Sequence, residues 1–122
     1  MEIIYEVSSD ILIADLFGEL DHHAAEKVRQ NVDEMMALYG SRYLILDFSR
    51  VTFMDSAGIG VILGRYRRLQ SSGGKMAIAS CGPKIRSILN MAGVFSIIEY
   101  ADTKAEAAAL LQGEEVAQWI KK

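Results

Sequence analysis

The chain opens with two short apolar runs that predict a pair of β-strands. Residues 2–7 and 11–16 are rich in aliphatic and β-branched side chains, and the polar triplet Ser8-Ser9-Asp10 separates them. Two such runs joined by turn-forming residues are typical of a β-hairpin. Ile11, Ile13 and Asp15 fall on one face of the second run. We therefore expect a half-buried strand whose polar end leads out of the sheet.

Helical periodicity follows the hairpin. Asp21 is a typical N-cap residue, and from His22 to Tyr39 the apolar side chains recur at steps of three and four. That spacing predicts a first helix with one apolar stripe, which Gly40 ends. The near-continuous apolar run at residues 43–48 then predicts a strand that is covered on both faces of a sheet.

The middle of the chain repeats this alternation. A second helix is expected over residues 57–71, and Gly73-Gly74 ends it. Its apolar stripe is accompanied by a basic outer face, which comprises Arg65, Arg67 and Arg68. A basic face of this kind is usually solvated, although it could also meet an acidic partner. Residues 75–79 predict the next strand.

The last third of the chain predicts two more helices and one more strand. Pro83 is suited to the first turn of a third helix, which Gly93 ends. Residues 96–99 predict a short last strand. Asp102 or Thr103 is expected to cap an alanine-rich fourth helix that extends to about residue 112. The tail at 113–122 is expected to add helical turns, and Trp119 and Ile120 could pack on the domain or on another chain.

This order of elements predicts the fold class. Two strands followed by helices and strands in alternation indicate an α/β protein with parallel, right-handed crossovers. The N-terminal hairpin makes the sheet mixed: about five strands, mostly parallel, with four to five helices. A length of 122 residues is sufficient for one domain with its own core. We therefore expect one domain over residues 1–112 and a helical tail of uncertain docking over residues 113–122.

Composition narrows the classes of protein that the chain can belong to. A formal net charge of −3 disfavours nucleic acid as a partner. The single cysteine, Cys81, permits no internal disulfide and favours a reducing compartment. The first residues lack the features of a signal peptide, and no apolar run approaches the length of a membrane span. We therefore expect a cytoplasmic protein that binds no membrane and is a monomer in isolation.

The junction between the third predicted strand and the second helix carries the candidate chemistry. Residues 53–60 (Phe-Met-Asp-Ser-Ala-Gly-Ile-Gly) supply an acid, a hydroxyl and two glycines there. Sites in open α/β sheets cluster at such carboxyl ends of strands. Asp55 or Ser56 could cap the helix, and if Asp55 does so the Ser56 hydroxyl is free to face outward. Gly58 and Gly60 weaken the helix start, which we interpret as clearance for a partner.

Enzyme and metal motifs fail at this junction for identifiable reasons. A nucleophile elbow around Ser56 requires a glycine where Met54 stands. A P-loop requires a Gly-Lys-Ser/Thr ending that the chain lacks, and Leu63 replaces the third small residue of a dinucleotide fingerprint. His22 and His23 are adjacent on a helix, so their side chains diverge by about 100° and do not form a metal site. We expect no metal and no cofactor.

Two separated motifs resemble those of a known family. The sequence Asp55-Ser56-x-Gly58-x-Gly60, followed by Val61-Ile62-Leu63-Gly64-Arg65-Tyr66, is similar to the anti-sigma factor antagonists of the STAS domain family. Gly18-Glu19-Leu20-Asp21-His22-His23, with Ala25-Glu26 just after it, looks like the second signature of the sporulation branch. The resemblance extends from residue 2 to about residue 112. One departure is Ala57, where sporulation members often carry a second serine.

The resemblance implies a regulatory protein and not an enzyme. Such antagonists in the unphosphorylated state bind an anti-sigma factor that is also an ATP-dependent serine kinase, and so release the sigma factor. The kinase inactivates the antagonist by phosphorylation, and a PP2C-type phosphatase restores it. By position, the phosphorylated residue is Ser56, and Asp21 matches the aspartate beside that serine. The expected partner-binding surface comprises Asp21, Asp55, Ser56, Ala57, Gly58, Ile59 and Gly60.

Two alternatives remain open at the level of sequence. The same helix start could bind a nucleotide or another small anion, because helix N-termini favour negative charge. A small serine hydrolase with Ser56 as nucleophile and His22 or His23 as base is the weaker alternative. Sporulation and general stress both remain open as the setting, and the signature at residues 18–23 favours sporulation.

Overall fold

The computed structural model describes the backbone of residues 1–120 and the side chains of residues 1–113. The strands are β1 (Glu2–Ser8), β2 (Ile11–Leu20), β3 (Tyr43–Met54), β4 (Lys75–Ala79) and β5 (Glu99–Ala101). The α-helices are α1 (His22–Tyr39), α2 (Ser56–Ser71), α3 (Pro83–Met91) and α4 (Lys104–Ile120), with a 3-10 turn at Val94–Ser96. Within residues 1–120 no helix is long and apolar enough to cross a membrane.

The five strands form one sheet in the order β1-β2-β3-β4-β5. β1 pairs antiparallel with β2, and each later pair is parallel. The predicted α/β class, with a mixed and mostly parallel sheet that begins in a hairpin, is therefore confirmed. Because β2, β3 and β4 run in the same direction, the loops at their carboxyl ends meet along one edge of the sheet.

Helices cover both faces of the sheet. The larger apolar cluster joins alternate residues of β2, β3 and β4, such as Leu12 and Leu46, to α1, α2 and α3. The smaller cluster uses the opposite set, such as Ile13 and Ile45, and packs against Ala107 of α4. The prediction that β2 is half-buried is therefore wrong. Ile11 to Ala14 are all buried because α4 returns to the face that the sequence pattern left open.

Strands β2 and β3 extend well beyond their predicted ends, and the last strand begins later in the chain than predicted. Register shifts between Asp15 and Phe17 and between Gly18 and Glu19 let β2 continue past polar residues. The predicted strand at 96–99 is wrong: a 3-10 turn follows Gly93, and pairing with β4 begins only at Glu99. The predicted helix ends are confirmed at Asp21 and Gly40 by the capping hydrogen bonds of α1.

The C-terminal helix begins where the sequence indicates. The Thr103 hydroxyl accepts a hydrogen bond from the Glu106 N–H at 3.1 Å, so Thr103 rather than Asp102 caps α4. The backbone of α4 continues to Ile120, through most of the predicted tail. The side chains of Trp119 and Ile120, and Lys121 and Lys122 entirely, lie outside the described residues. The docking of the tail therefore stays a prediction.

One residue of the predicted basic face of α2 is not on the surface. Arg65 is buried, whereas Arg67 and Arg68 are exposed. The Arg65 Nε lies 2.8 Å from an Asp33 carboxylate oxygen on α1. The prediction that Arg65 belongs to a solvated basic face is therefore wrong, because the ion pair with Asp33 draws it between the two helices.

Candidate functional site

Two strand-to-helix junctions lie side by side at the carboxyl ends of β2 and β3. Leu20, the last residue of β2, pairs with Met54, the last residue of β3. The next residue in each case is an aspartate that begins a helix: Asp21 for α1 and Asp55 for α2. The Asp55 N–H donates to the Leu20 carbonyl at 3.4 Å and ties the two junctions together. The parallel register thus brings the two sequence motifs into one site.

Asp55 is the N-cap of α2. One of its carboxylate oxygens accepts the backbone N–H groups of Ala57 and Gly58, at 2.9 and 3.4 Å. The other oxygen accepts the backbone N–H of His22 at 3.2 Å. One side chain therefore satisfies donors at the starts of two helices, which would otherwise lack partners inside their own helices.

Asp21 has the equivalent position on α1. One carboxylate oxygen accepts the backbone N–H groups of His23 and Ala24, at 3.0 and 3.1 Å. The hydrogen bond from Ala24, followed by that from His23, holds the pKa of Asp21 below its usual value. Hydrogen bonds to the ionised form favour that form. Asp21 is therefore a fixed negative charge at the site.

The two histidines pair with the two capping aspartates. The His22 Nδ1 lies 3.8 Å from Asp55, and the His23 Nδ1 lies 3.7 Å from Asp21. Their rings are in contact, with centroids 3.9 Å apart, so the prediction that the two side chains diverge is wrong. Within the described residues no group of three or more potential ligands could hold a metal ion.

Ser56 is the first residue of α2 and is exposed to solvent. Because Asp55 supplies the cap, the Ser56 hydroxyl is not needed for it. Within the described part of the chain the hydroxyl makes no hydrogen bond, so no histidine is placed against it as a general base. A nucleophilic serine requires such a base within hydrogen-bond reach. The hydroxyl of Ser56 is therefore accessible to a partner, but no neighbouring base activates it as a nucleophile.

The glycines at the start of α2 have different surroundings. Gly58 is buried, and a Cβ added there would lie 2.7 Å from the Leu20 carbonyl oxygen and 2.5 Å from a Met54 side-chain carbon. The prediction that Gly58 provides clearance for a partner therefore gives the wrong reason for the glycine. The structure shows that it allows α2 to pack closely on β2. Gly60 is exposed and has no such neighbour.

The rest of the expected surface is partly apolar. Ala57 and Ile59 are half-buried, and Ile59 packs against the main core. Phe53 remains 43% exposed beside Glu19 of β2. Sequence reasoning missed the contact between His22 and Asp55. No local pattern indicates it, because it depends on the register between β2 and β3.

A cavity of about 630 Å³ lies next to Asp21, between β1, the end of β2 and α1. The ionisable residues in its lining are Glu2, Glu19, Asp21, His23 and Lys27. Acidic residues outnumber the lysine in this lining by three to one, so its charge does not attract a phosphate-bearing ligand. The cavity does not favour the nucleotide-binding alternative.

Comparison with known proteins gives a family match over most of the chain. The model of the STAS domain matches residues 2–107. The chain is 37% identical over 112 residues to a protein of Paenibacillus polymyxa named anti-sigma F factor antagonist. That alignment covers 92% of this chain and 96% of the relative.

Solved structures show the same fold. The unphosphorylated form of the anti-sigma factor antagonist SpoIIAA matches with a TM-score of 0.70 and 30% identity, covering 88% of this chain and 94% of that chain. The phosphorylated form of SpoIIAA from Bacillus, described as a cell fate determinant, matches with a TM-score of 0.69 and 32% identity. The second alignment covers 88% of this chain and 96% of that chain.

Proposed function

The chain belongs to the STAS domain family, and on that premise we propose that it is an anti-sigma factor antagonist. In the unphosphorylated state it binds an anti-sigma factor that is also a serine kinase, and so releases the sigma factor. Phosphorylation of Ser56 by that kinase ends the binding, and a PP2C-type phosphatase reverses the modification. The protein is a cytoplasmic regulator of transcription and not an enzyme, with sporulation as its setting.

The observation that carries this proposal is the free hydroxyl of Ser56. It stands exposed at the first position of α2 because the preceding Asp55 has taken over the capping of the helix. A kinase needs a hydroxyl that its active site can approach and that the fold does not require. A relative, SpoIIAA, is known in both an unphosphorylated and a phosphorylated form.

The surroundings of Ser56 explain how a phosphate would act. Phosphorylation adds about −1.5 to −2 charges. The backbone N–H groups of Ala57 and Gly58 already donate to Asp55, so the phosphate gains the helix dipole but few free donors. The carboxylates of Asp55 and Asp21 add repulsion. The modification therefore changes the charge of the surface and leaves the buried contacts below it unchanged.

The proposed contact surface is the edge formed by the two junctions. Ser56 and Gly60 are exposed there, Phe53 adds an exposed aromatic ring, and Asp21 adds a fixed negative charge. Gly58 supports this surface from below by allowing α2 to pack on Leu20. A partner that fits closely against Ser56 would lose affinity when a phosphate is inserted, and each loss of 1.4 kcal/mol is tenfold.

Phosphorylation assays test the proposal directly. The purified chain is incubated with ATP and the anti-sigma factor kinase of the same genome, and the product is analysed by intact mass and peptide mapping. We expect one phosphate, located on Ser56 and lost in Ser56→Ala. Phosphate on another residue of the unaltered chain would reject Ser56 as the site. If neither the unaltered chain nor Ser56→Ala binds the kinase, the proposed partner is wrong.

A further inference from the structure

A crevice between α1 and the second half of α2 contains polar groups that the proposed function does not use. Its volume is about 170 Å³, and Asp33, Ser41, Arg65 and Arg68 contribute to its lining. Arg65 follows Ser56 by nine residues on α2, which places it about 14 Å away along the helix axis. The crevice is therefore separate from the proposed phosphorylation site.

Arg65 is the central polar group of this crevice. Its side chain is only 9% exposed, and its Nε lies 2.8 Å from an Asp33 oxygen without a well-aligned N–H bond. Its Nη1 is buried and has no hydrogen-bond partner among the described residues. A buried donor that lacks a partner costs free energy, more so when the group is charged. The guanidinium therefore requires a partner beyond Asp33.

Asp33 does not fill this role, because no hydrogen bond joins it to the Nη1 of Arg65. One of its oxygens is paired with Arg65, and the other accepts a hydrogen bond from the Arg68 Nη1 at 3.4 Å. A second buried donor, the Ser41 hydroxyl, also lines the crevice and lacks a partner among the described residues.

The charges around the guanidinium favour an anion. The groups that act on Arg65 are Asp33 and Glu26, which are negative, and Arg29 and Arg68, which are positive. With Arg65 itself, three positive groups face two negative ones. The local excess of positive charge, together with the free donors of Arg65 and Ser41, matches the acceptor oxygens of an anion.

We propose that this crevice binds a small oxyanion of the phosphate class. The Nη1 of Arg65 and the hydroxyl of Ser41 donate to it from inside, and the exposed guanidinium of Arg68 covers it from the surface. A volume of 170 Å³ admits several waters or one small anion but lies below the 300–1,000 Å³ typical of sites for larger ligands. The site therefore excludes nucleotides.

The test is an NMR titration of the ¹⁵N-labelled full chain with sodium phosphate, with sodium chloride added to keep the ionic strength constant. We expect saturable shifts of the Arg65 Nε–H signal and of the amide of Ser41. Arg68→Gln and Ser41→Ala should each weaken the apparent affinity about tenfold, since each removes one donor to the anion. Both variants leave the contact between Asp33 and Arg65 in place.

Arg67→Gln is the matched control, because Arg67 is exposed on the same helix and does not line the crevice. It should bind phosphate like the unaltered chain, as should Ser56→Ala. Equal affinity in Arg68→Gln, Ser41→Ala and Arg67→Gln would overturn the proposal. So would shifts confined to residues 55–60, or ATP that competes with phosphate at Arg65 with similar affinity. None of these outcomes depends on the proposed role of Ser56.

Discussion

The carboxylate of Asp55 accepts the backbone N–H of His22 at 3.2 Å, across 33 residues of sequence. The contact joins the start of α2 to the start of α1, because the same carboxylate also caps α2. Both sequence motifs of the family meet at this point. The geometry of the site therefore depends on one acidic side chain that is not itself the residue proposed to be modified.

Removal of Asp55 should cost more stability than removal of Asp21. Asp55→Ala deletes the cap of α2 and the acceptor of the His22 N–H, whereas Asp21→Ala deletes the cap of α1 alone. We expect losses in the free energy of unfolding of about 2 kcal/mol for Asp55→Ala and about 1 kcal/mol for Asp21→Ala. Urea unfolding followed by circular dichroism measures both. Equal losses would show that the contact with His22 contributes nothing.

A permanent negative charge at Ser56 should impair binding of the anti-sigma factor without unfolding the domain. Ser56→Asp places a carboxylate beside Asp55 and Asp21, and we expect at least about tenfold weaker binding by calorimetry. Ser71→Asp is the control, since it adds the same charge at the opposite end of α2. Circular dichroism should be nearly unchanged in both variants. A grossly unfolded Ser56→Asp protein would contradict a switch that acts only at the surface.

Gly58 and Gly60, the two glycines in the first turns of α2, should respond in opposite directions to substitution by alanine. In Gly58→Ala the new Cβ would meet the Leu20 carbonyl and the Met54 side chain, so we expect destabilisation by about 1–3 kcal/mol. In Gly60→Ala the new Cβ has no neighbour within 4 Å among the described residues outside the adjacent backbone of α2, and the gain in helix propensity should stabilise the protein by up to about 1 kcal/mol. Thermal or urea unfolding distinguishes the two. A stabilised Gly58→Ala protein would disprove the close packing.

The ion pair between Asp33 of α1 and Arg65 of α2 should contribute more to the free energy of unfolding than an ion pair on the surface. Asp33→Ala leaves Arg65 without its carboxylate partner, which should cost about 3 kcal/mol of the free energy of unfolding. The comparison variant is Glu26→Ala, which breaks the exposed pair with Arg29 on α1 and should cost less than about 1 kcal/mol. The same urea experiment measures both. A loss in Asp33→Ala as small as that in Glu26→Ala would show that the buried pair is dispensable.

Because of Cys81, the free energy of unfolding should depend on pH in the alkaline range. Burial raises the pKa of its thiol from 9.0 to about 12. Between these values the unfolded chain loses the proton that the native chain keeps, so the free energy of unfolding should fall as pH rises. The pKa of Tyr5 is also raised, to about 12, chiefly by burial. Cys81→Ala isolates the thiol, since Tyr5 contributes equally in both proteins.

The measurement is urea unfolding between pH 8 and pH 11 in the presence of a reductant. The decline with pH should be shallower in Cys81→Ala than in the unaltered chain. The native thiol should also react slowly with iodoacetamide at pH 9, and should react rapidly once urea unfolds the chain. Rapid labelling of the native protein would indicate an accessible thiolate and a normal pKa.

Much of the fold follows from local chemistry. Helix α1 begins after Asp21 and ends at Gly40 as predicted, since capping and the left-handed conformation of a glycine are properties of a few adjacent residues. The order of strands and helices follows from the period of the apolar residues. The last strand was misplaced because β5 is only three residues long and is defined by pairing with Ala77 to Ala79 of β4.

The sequence predicts where the candidate site lies, but it predicts the roles of the individual residues only in part. The chemistry of Asp55 and Ser56 left two possible caps for α2, and the structure assigns the cap to Asp55. The role of Gly58 has no local signal, because its close neighbour Leu20 lies at the end of β2, far from α2 along the chain. The sequence around Arg65 predicts a surface position, because its partner Asp33 lies on the other helix and leaves no local signal.

Local sequence accounts for the α/β class and for the helix starts at the two aspartates. It also accounts for a serine placed between a helix cap and a glycine-containing first turn. These depend on residues that are neighbours along the chain. Packing of the whole domain accounts for three further features: α4 covers the second face of β2, Arg65 is buried against Asp33, and Asp55 reaches the start of α1. Each of these contacts joins distant segments, and the register of a sheet and the packing of helices are set by the whole domain.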